Sequence, residues 1–151
     1  KILHENHLVF SPLFEATAHV FISQEHPLAG QSSISPDMLG PYPFLAFEQG
    51  TYNSFYFSEE PLSTLTRKKI IHVSDRATLF NLLIGLNGYT ICSGILNSDL
   101  NGNQIISVPL ETDETMLIGW IAHEKSSLTT TAREYLDELK KLITQDGYEL
   151  L

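Results

Sequence analysis

Apolar residues recur along this chain with two different periods, and the change from one to the other marks its elements. Ile70, Ile71 and Val73 form a short β-branched run that suits a strand. Leu79, Leu82, Leu83 and Leu86 then return at steps of three and four, the spacing of one helix face. Ser74-Asp75 lies between the two patterns and is a helix start, because either side chain can accept from an open backbone N–H. Asn87-Gly88 ends the helix, with Gly able to take the left-handed cap conformation. Tyr89, Thr90, Ile91 and Cys92 resume a strand. The stretch predicts a strand–helix–strand unit whose two strands are parallel neighbours. Ser74 and Asp75 then sit at the carboxyl end of the first strand, the edge at which open α/β sheets bind ligands.

The same reading extends to both sides. Leu8–Phe10 suits an edge strand, and Glu15–Ser23 alternates and then turns apolar, a strand closed by His26-Pro27. Ser35-Pro36-Asp37 starts a single helical turn, broken at Gly40-Pro41. Pro43–Phe47 reads as a buried strand, Glu48–Thr51 as a turn and Tyr52–Arg67 as a helix. Asn101-Gly102 is a hairpin-type turn signal. Ile105–Leu110 and Met116–His123 are strands, joined by an acidic loop with Glu111, Asp113 and Glu114. Thr129–Gln145 carries an apolar stripe of Ala132, Tyr135, Leu136, Leu139, Leu142 and Ile143, suited to core or dimer packing. Thr131 and Glu134 have capping-box spacing, and Tyr148–Leu151 reads as a disordered end.

The chain has 151 residues and is 42% hydrophobic, enough for one domain or two small lobes. Its 18 acids against 9 bases give a net charge of −9, which repels phosphate backbones, so the chain by itself is no nucleic-acid binder. Arg67-Lys68-Lys69 is the longest basic run and reads as a solvated helix end. The lone Cys92 excludes an internal disulfide, points to a reducing cytosol and reads as a small buried hydrophobe. No apolar run reaches the ~18 residues of a membrane span, and no signal peptide is visible. Lys1 at the first position reads as the start of a fragment.

Candidate chemistry is sparse. His4 and His7 have metal-ligand spacing only on a helix, and no helix is expected there. Asp99, Asn101 and Asn103 match the start of a calcium loop, but Gln104 and Leu110 stand where its Gly and Glu belong. No metal and no cofactor is called for. The turn at Gly50–Ser54 opens a helix whose first turn holds Thr51, Tyr52, Asn53 and Ser54, with no acid before Glu59. Its free N–H groups and dipole favour an anion. Asp75 already answers that need at the other helix start, so the Gly50–Ser54 turn ranks first as an anion seat. The competing reading is that Thr51, Asn53 and Ser54 only cap their helix, and that Asp75 pairs with Arg76. Ser74, Asp75 and His72 form no nucleophile–base signature, so no catalytic residue is assigned.

These segments, in this order, resemble the effector-binding domain of LysR-type bacterial transcription regulators. The carriers are His26–Ala29 (HPLA), Pro43–Gly50 (PFLAFEQG), Lys69–Gly94, Ile106–Leu110 (ISVPL) and the helix Leu128–Ile143. The resemblance implies an α/β, two-lobed, type II periplasmic-binding-protein-like fold. Lobe II, about residues 20–95, is expected complete. Residues 1–19 and 96–151 are expected to be parts of lobe I, whose first half, with the winged helix-turn-helix, lies outside this chain. It further implies a cytoplasmic ligand-sensing module that binds a small anionic effector in the interlobe cleft. Gln49, Gly50, Thr51, Asn53 and Ser54 would hold that effector, with Ser74, Asp75 and Ser93 lining the cleft. DNA would be reached only through the missing head, in a homo-dimer or tetramer, with no membrane partner. A solute-binding protein or a small enzyme on the same scaffold is the alternative.

Overall fold

The computed structural model describes residues 2–48 and 67–151. Its elements are α1 (Ile2–Glu5), β1 (Leu8–Thr17), β2 (His19–Ser23), a 3-10 turn (Pro36–Leu39), β3 (Phe44–Phe47), β4 (Ile70–Val73), α2 (Arg76–Leu86), β5 (Thr90–Cys92), α3 (Ser98–Asn101), β6 (Ile105–Pro109), β7 (Thr115–His123) and α4 (Thr130–Gln145). The expected helix Tyr52–Arg67 falls largely outside the described residues. The chain divides into two compact units, Thr17–Thr115 and the pair Lys1–Ala16 with Met116–Leu151. The expected lobe II, about residues 20–95, falls inside the first.

In the unit Thr17–Thr115, β2 is the central strand. It pairs antiparallel with β5 on one side and with β6 on the other. Val20, Phe21, Ile22 and Ser23 are all buried, because both faces of β2 are covered. Val20 and Ile22 join a cluster with Ile34, Phe44 and Ile91, while Phe21 faces Leu45, Val73, Leu79, Leu83 and Ile105. β6, read from the sequence as a strand of lobe I, pairs along its length with β2.

The strand–helix–strand unit forms, with one correction. β4 and β5 are not neighbours. β3 pairs in parallel with β4 and meets the start of β5 through the bridge Phe44–Tyr89. Leu45 N–H donates to the Tyr89 carbonyl at 2.8 Å, and Tyr89 N–H to that of Pro43 at 3.0 Å. The crossover through α2 therefore skips one strand. Gly88 permits this approach: a Cβ there would lie 3.1 Å from Leu45 Cδ1 and 3.2 Å from the Pro43 carbonyl oxygen.

α2 is capped as its sequence predicts at one end. Asp75 Oδ1 accepts from Thr78 N–H at 2.8 Å. At the other end Asn87, rather than Gly88, takes the left-handed cap, at φ 48°. Asn tolerates this region, and Gly88 is needed for its missing side chain instead. Leu79 and Leu83 are buried and Leu82 partly so, but Leu86 is 47% exposed. The helix outlasts the sheet beneath it. Two further expectations fail here. The Glu15–Ser23 run is split at Ala18 between β1 and β2. Asn101-Gly102 makes no hairpin, because β2 lies between β5 and β6; α3 ends there, with Asn97 Oδ1 accepting from Asp99 N–H at 2.9 Å.

His26 is buried, and its two ring nitrogens are used differently. Nε2–H donates to the Asn87 carbonyl at 3.1 Å, and Nδ1 accepts from Leu28 N–H at 3.1 Å. The neutral imidazole thus joins the turn after β2 to the cap of α2, with the Tyr42 ring tilted against it at 4.3 Å. Burial lowers its pKa below the ordinary 6.5, against the opposing bond to Asn87. The unfolded chain therefore takes up the proton first. Stability from this contact is complete above pH 6.5 and drains away as pH falls from there towards the lowered folded value. Unfolding midpoints in denaturant between pH 5 and 8, compared with those of His26→Gln, check this: the wild-type curve should bend downward below about pH 6.5 and the variant's should lose that bend. Identical curves contradict it.

In the other unit β1 pairs with β7, and α4 covers one face. Leu13, Phe14, Ala16 and Ile143 are buried there, with Ile118, Trp120, Leu139 and Tyr148 packed around them. Of the α4 stripe, Tyr135 (67% exposed) and Leu142 (55%) remain in solvent. The cap of α4 is Thr129, whose Oγ1 accepts from Ala132 N–H at 3.1 Å, so Thr131 and Glu134 do not form the expected box. Tyr148–Leu151 is ordered: the Tyr148 ring packs tilted against Phe14 at 4.7 Å, and Leu151 N–H donates to the Leu13 carbonyl at 2.9 Å. His4 does lie on a short helix, α1, but His7 follows it at φ 53° and bonds Glu124 Oε1 at 2.9 Å. Among the described residues, no group of three His, Cys, Asp or Glu side chains could hold a metal ion. Among them, too, no helix is long and apolar enough to cross a membrane.

Candidate functional site

Strand direction selects one edge of the sheet. β3, β4 and β5 run parallel, so their carboxyl ends share an edge. β4 delivers Ser74 and Asp75 there, β3 delivers Glu48, and β5 delivers Ser93. Phe47 is level with Val73, so Glu48 is level with Ser74. β3 meets the start of β5 at the Phe44–Tyr89 bridge, and Ser93 follows the last residue of β5 at the same edge. Glu48 is pinned by its N–H, which donates to the Val73 carbonyl at 2.7 Å.

β2 runs the other way, so its first residue, His19, reaches the same edge, opposite Cys92 and Pro109. Nδ1–H of His19 donates to the Thr17 carbonyl at 3.0 Å, which fixes the ring and leaves Nε2 as the acceptor nitrogen. The ring lies flat on Gly94: a Cβ there would be 2.5 Å from His19 Nδ1. Gly94 has φ +83°, and its carbonyl accepts from Ser107 Oγ at 3.3 Å. Ser93, half-buried, is held between these contacts.

The electrostatics of the two helix starts differ. Asp75 is exposed, and the Thr78 N–H bonds hold its carboxyl below the usual range, so it stays ionised and caps α2. An incoming anion at this start would meet a carboxylate already using the N–H groups. Arg76 guanidinium lies 5.6 Å from the Phe47 ring, over the end of β3. Gln49, Gly50, Thr51, Asn53 and Ser54 lie outside the described residues. The structure therefore brings Ser74, Asp75 and Ser93 to one edge, and adds His19 and Glu48. Sequence reading placed Glu48 in a turn and gave His19 no role. The antiparallel direction of β2 is the missing fact, and no local motif encodes it.

Comparison with known proteins gives a family and a fold. A family model described as LysR substrate binding domain matches residues 2–143. None of the curated proteins compared matches the chain. Among solved structures, HinK, a LysR family transcriptional regulator from Pseudomonas aeruginosa, is similar at 17% identity and a TM-score of 0.68, over 91% of this chain and 49% of that one. The effector-binding domain of QuiR in complex with shikimate is 18% identical, with a TM-score of 0.64 over 93% of this chain and 68% of that one. The Synechocystis PCC6803 CcmR regulatory domain in complex with 2-PG is 16% identical, with a TM-score of 0.61 over 91% and 68%. The chain spans about half the length of HinK.

Proposed function

The chain belongs to the LysR substrate binding domain family, a type II periplasmic-binding-protein-like α/β fold, and from that premise we propose that it senses a small anionic effector for a longer transcription regulator. The observation that carries this reading is the shared carboxyl edge of β3, β4 and β5 with its polar rim of Glu48, Ser74 and Ser93. Such an edge presents loop residues to a ligand while the sheet holds them in place. Thr51, Asn53 and Ser54, with Gln49 and Gly50, contact the anion; Ser74, Asp75 and Ser93 shape the surrounding wall. Shikimate bound to the QuiR domain and 2-PG bound to the CcmR domain support an anionic metabolite as the ligand class. The module is not an enzyme. It works in the cytoplasm as a homo-dimer or tetramer, and DNA contact comes from a helix-turn-helix elsewhere in the regulator. Ligand binding stabilises one arrangement of the module over another and so biases the DNA-binding heads.

Thermal unfolding of the chain against a panel of carboxylates and phosphate esters, shikimate included, tests the reading. A ligand present at 100 times its Kd stabilises by about 2.7 kcal/mol, which gives a clear upward shift of the midpoint. The shift should vanish in the double variant Thr51→Ala with Ser54→Ala. Asp75→Asn keeps a capping oxygen but removes the charge, and should tighten anion binding. The reading fails if no compound shifts the midpoint, or if the double variant leaves the shift intact.

A further inference from the structure

A cavity lies at the opposite edge of the same strands. It measures about 520 Å³ and opens beside the amino ends of β3, β4 and β5. Arg67, Lys68 and Lys69 line it just before β4, Tyr42 just before β3, and Tyr89 just before β5. Pro41 supplies apolar wall over the buried Leu39 and Ile91, and Asp37 is the one acid among the described lining residues. The volume suits a small metabolite.

Its charge is out of keeping with the chain. Only 9 of 151 residues are Lys or Arg, and three of them meet here, in a protein of net charge −9. The sequence reading of a solvated basic run does not hold for Arg67. Its guanidinium lies 3.8 Å from the centroid of the Phe44 ring, and its side chain is half-buried. It also hydrogen-bonds the buried Tyr89 hydroxyl. Lys69 Nζ is tied to the Pro41 carbonyl at 2.9 Å, which fixes the rim. Lys68 is exposed beside them. A cation stacked on an aromatic floor is held in position before any ligand arrives.

We propose that this cavity is a second ligand site, specific for an anion with a flat apolar body, such as an aryl carboxylate or aryl phosphate monoester. Arg67 and Lys68 bind the charged group, and Pro41 and Tyr42 receive the body. The site is separate from the effector edge by the length of β4, about 13 Å at 3.3 Å per residue. It does not depend on the effector reading above.

Isothermal titration of the chain with benzoate, phenyl phosphate and inorganic phosphate tests it. Benzoate or phenyl phosphate should bind, with inorganic phosphate weaker because it cannot use the apolar wall. Arg67→Gln and Lys68→Gln should each weaken binding by about tenfold, the scale of one lost charge-assisted contact. Asp37→Asn should tighten it. The effector-edge double variant Thr51→Ala with Ser54→Ala should leave it unchanged, which separates the two sites. Should Arg67→Gln fail to fold, Lys68→Gln and Asp37→Asn still decide, since both residues are on the rim. No binding by either aryl anion overturns the proposal, as does affinity that ignores all three substitutions or equal affinity for inorganic phosphate.

Discussion

Leu83→Ala is expected to remove about 2–5 kcal/mol of unfolding free energy, the usual cost of emptying a leucine site in a packed core. Leu83 is fully buried and shares a core cluster with Phe21, Leu45, Val73 and Ile105, which come from β2, β3, β4 and β6. Ile84, its neighbour, is 38% exposed and provides the control: Ile84→Ala should cost far less. Urea unfolding followed by circular dichroism gives both values. A cost for Leu83→Ala below that of Ile84→Ala would mean that α2 does not pack as described. The consequence for function is direct, since α2 begins at Asp75 and its seating fixes where that carboxylate lies.

The second large effect concerns Gly94. Alanine there would be strained twice: φ is +83°, and the new Cβ would meet the His19 ring at 2.5 Å. Strain of the left-handed backbone costs of order 1–3 kcal/mol, and displacement of the ring adds to it. Gly102 separates the two contributions. It has φ +68° and nothing within 4 Å of its Cβ position, so Gly102→Ala reports the backbone cost alone. Gly94→Ala should be the more destabilising of the two in denaturant titration. Adding His19→Ala should recover part of the difference, a coupling that a double-mutant cycle measures directly. Equal losses at the two glycines, with no recovery, would show that the His19 ring can move aside freely.

Much of what the sequence shows correctly has a local cause. The β-branched run before Ser74, the leucine spacing of α2 and the Asp75 cap all depend on residues a few positions apart, and the structure has each of them. Misreadings arose where the cause lies far along the chain. Nothing near Ile70 or Tyr89 announces that Phe44–Phe47 comes between them, so the local pattern alone makes β4 and β5 neighbours. The same holds for Asn101-Gly102: a turn dipeptide gives a hairpin only if the flanking strands pair, and β5 and β6 both pair with β2 instead. At α4 the choice among Thr129, Thr130 and Thr131 as cap could not be made from spacing alone, since consecutive threonines offer equivalent hydroxyls. The candidate site shows the same division. Ser74 and Asp75 follow from a strand–helix junction, whereas His19 comes to that edge only through the direction of a strand that pairs with residues 92 and 109.

The central position of β2 also governs how the unit Thr17–Thr115 can be made. His19 leaves the ribosome some 90 residues before its partner Pro109. During that interval Val20, Phe21 and Ile22 have no sheet to enter, and both edges of the strand stand open to any other chain. Closing so distant a pairing is slow, because the loop entropy must be met before the contacts reward it. The interval in which this apolar strand waits for β6 is therefore the time at which the nascent protein is most exposed to aggregation and most in need of a chaperone.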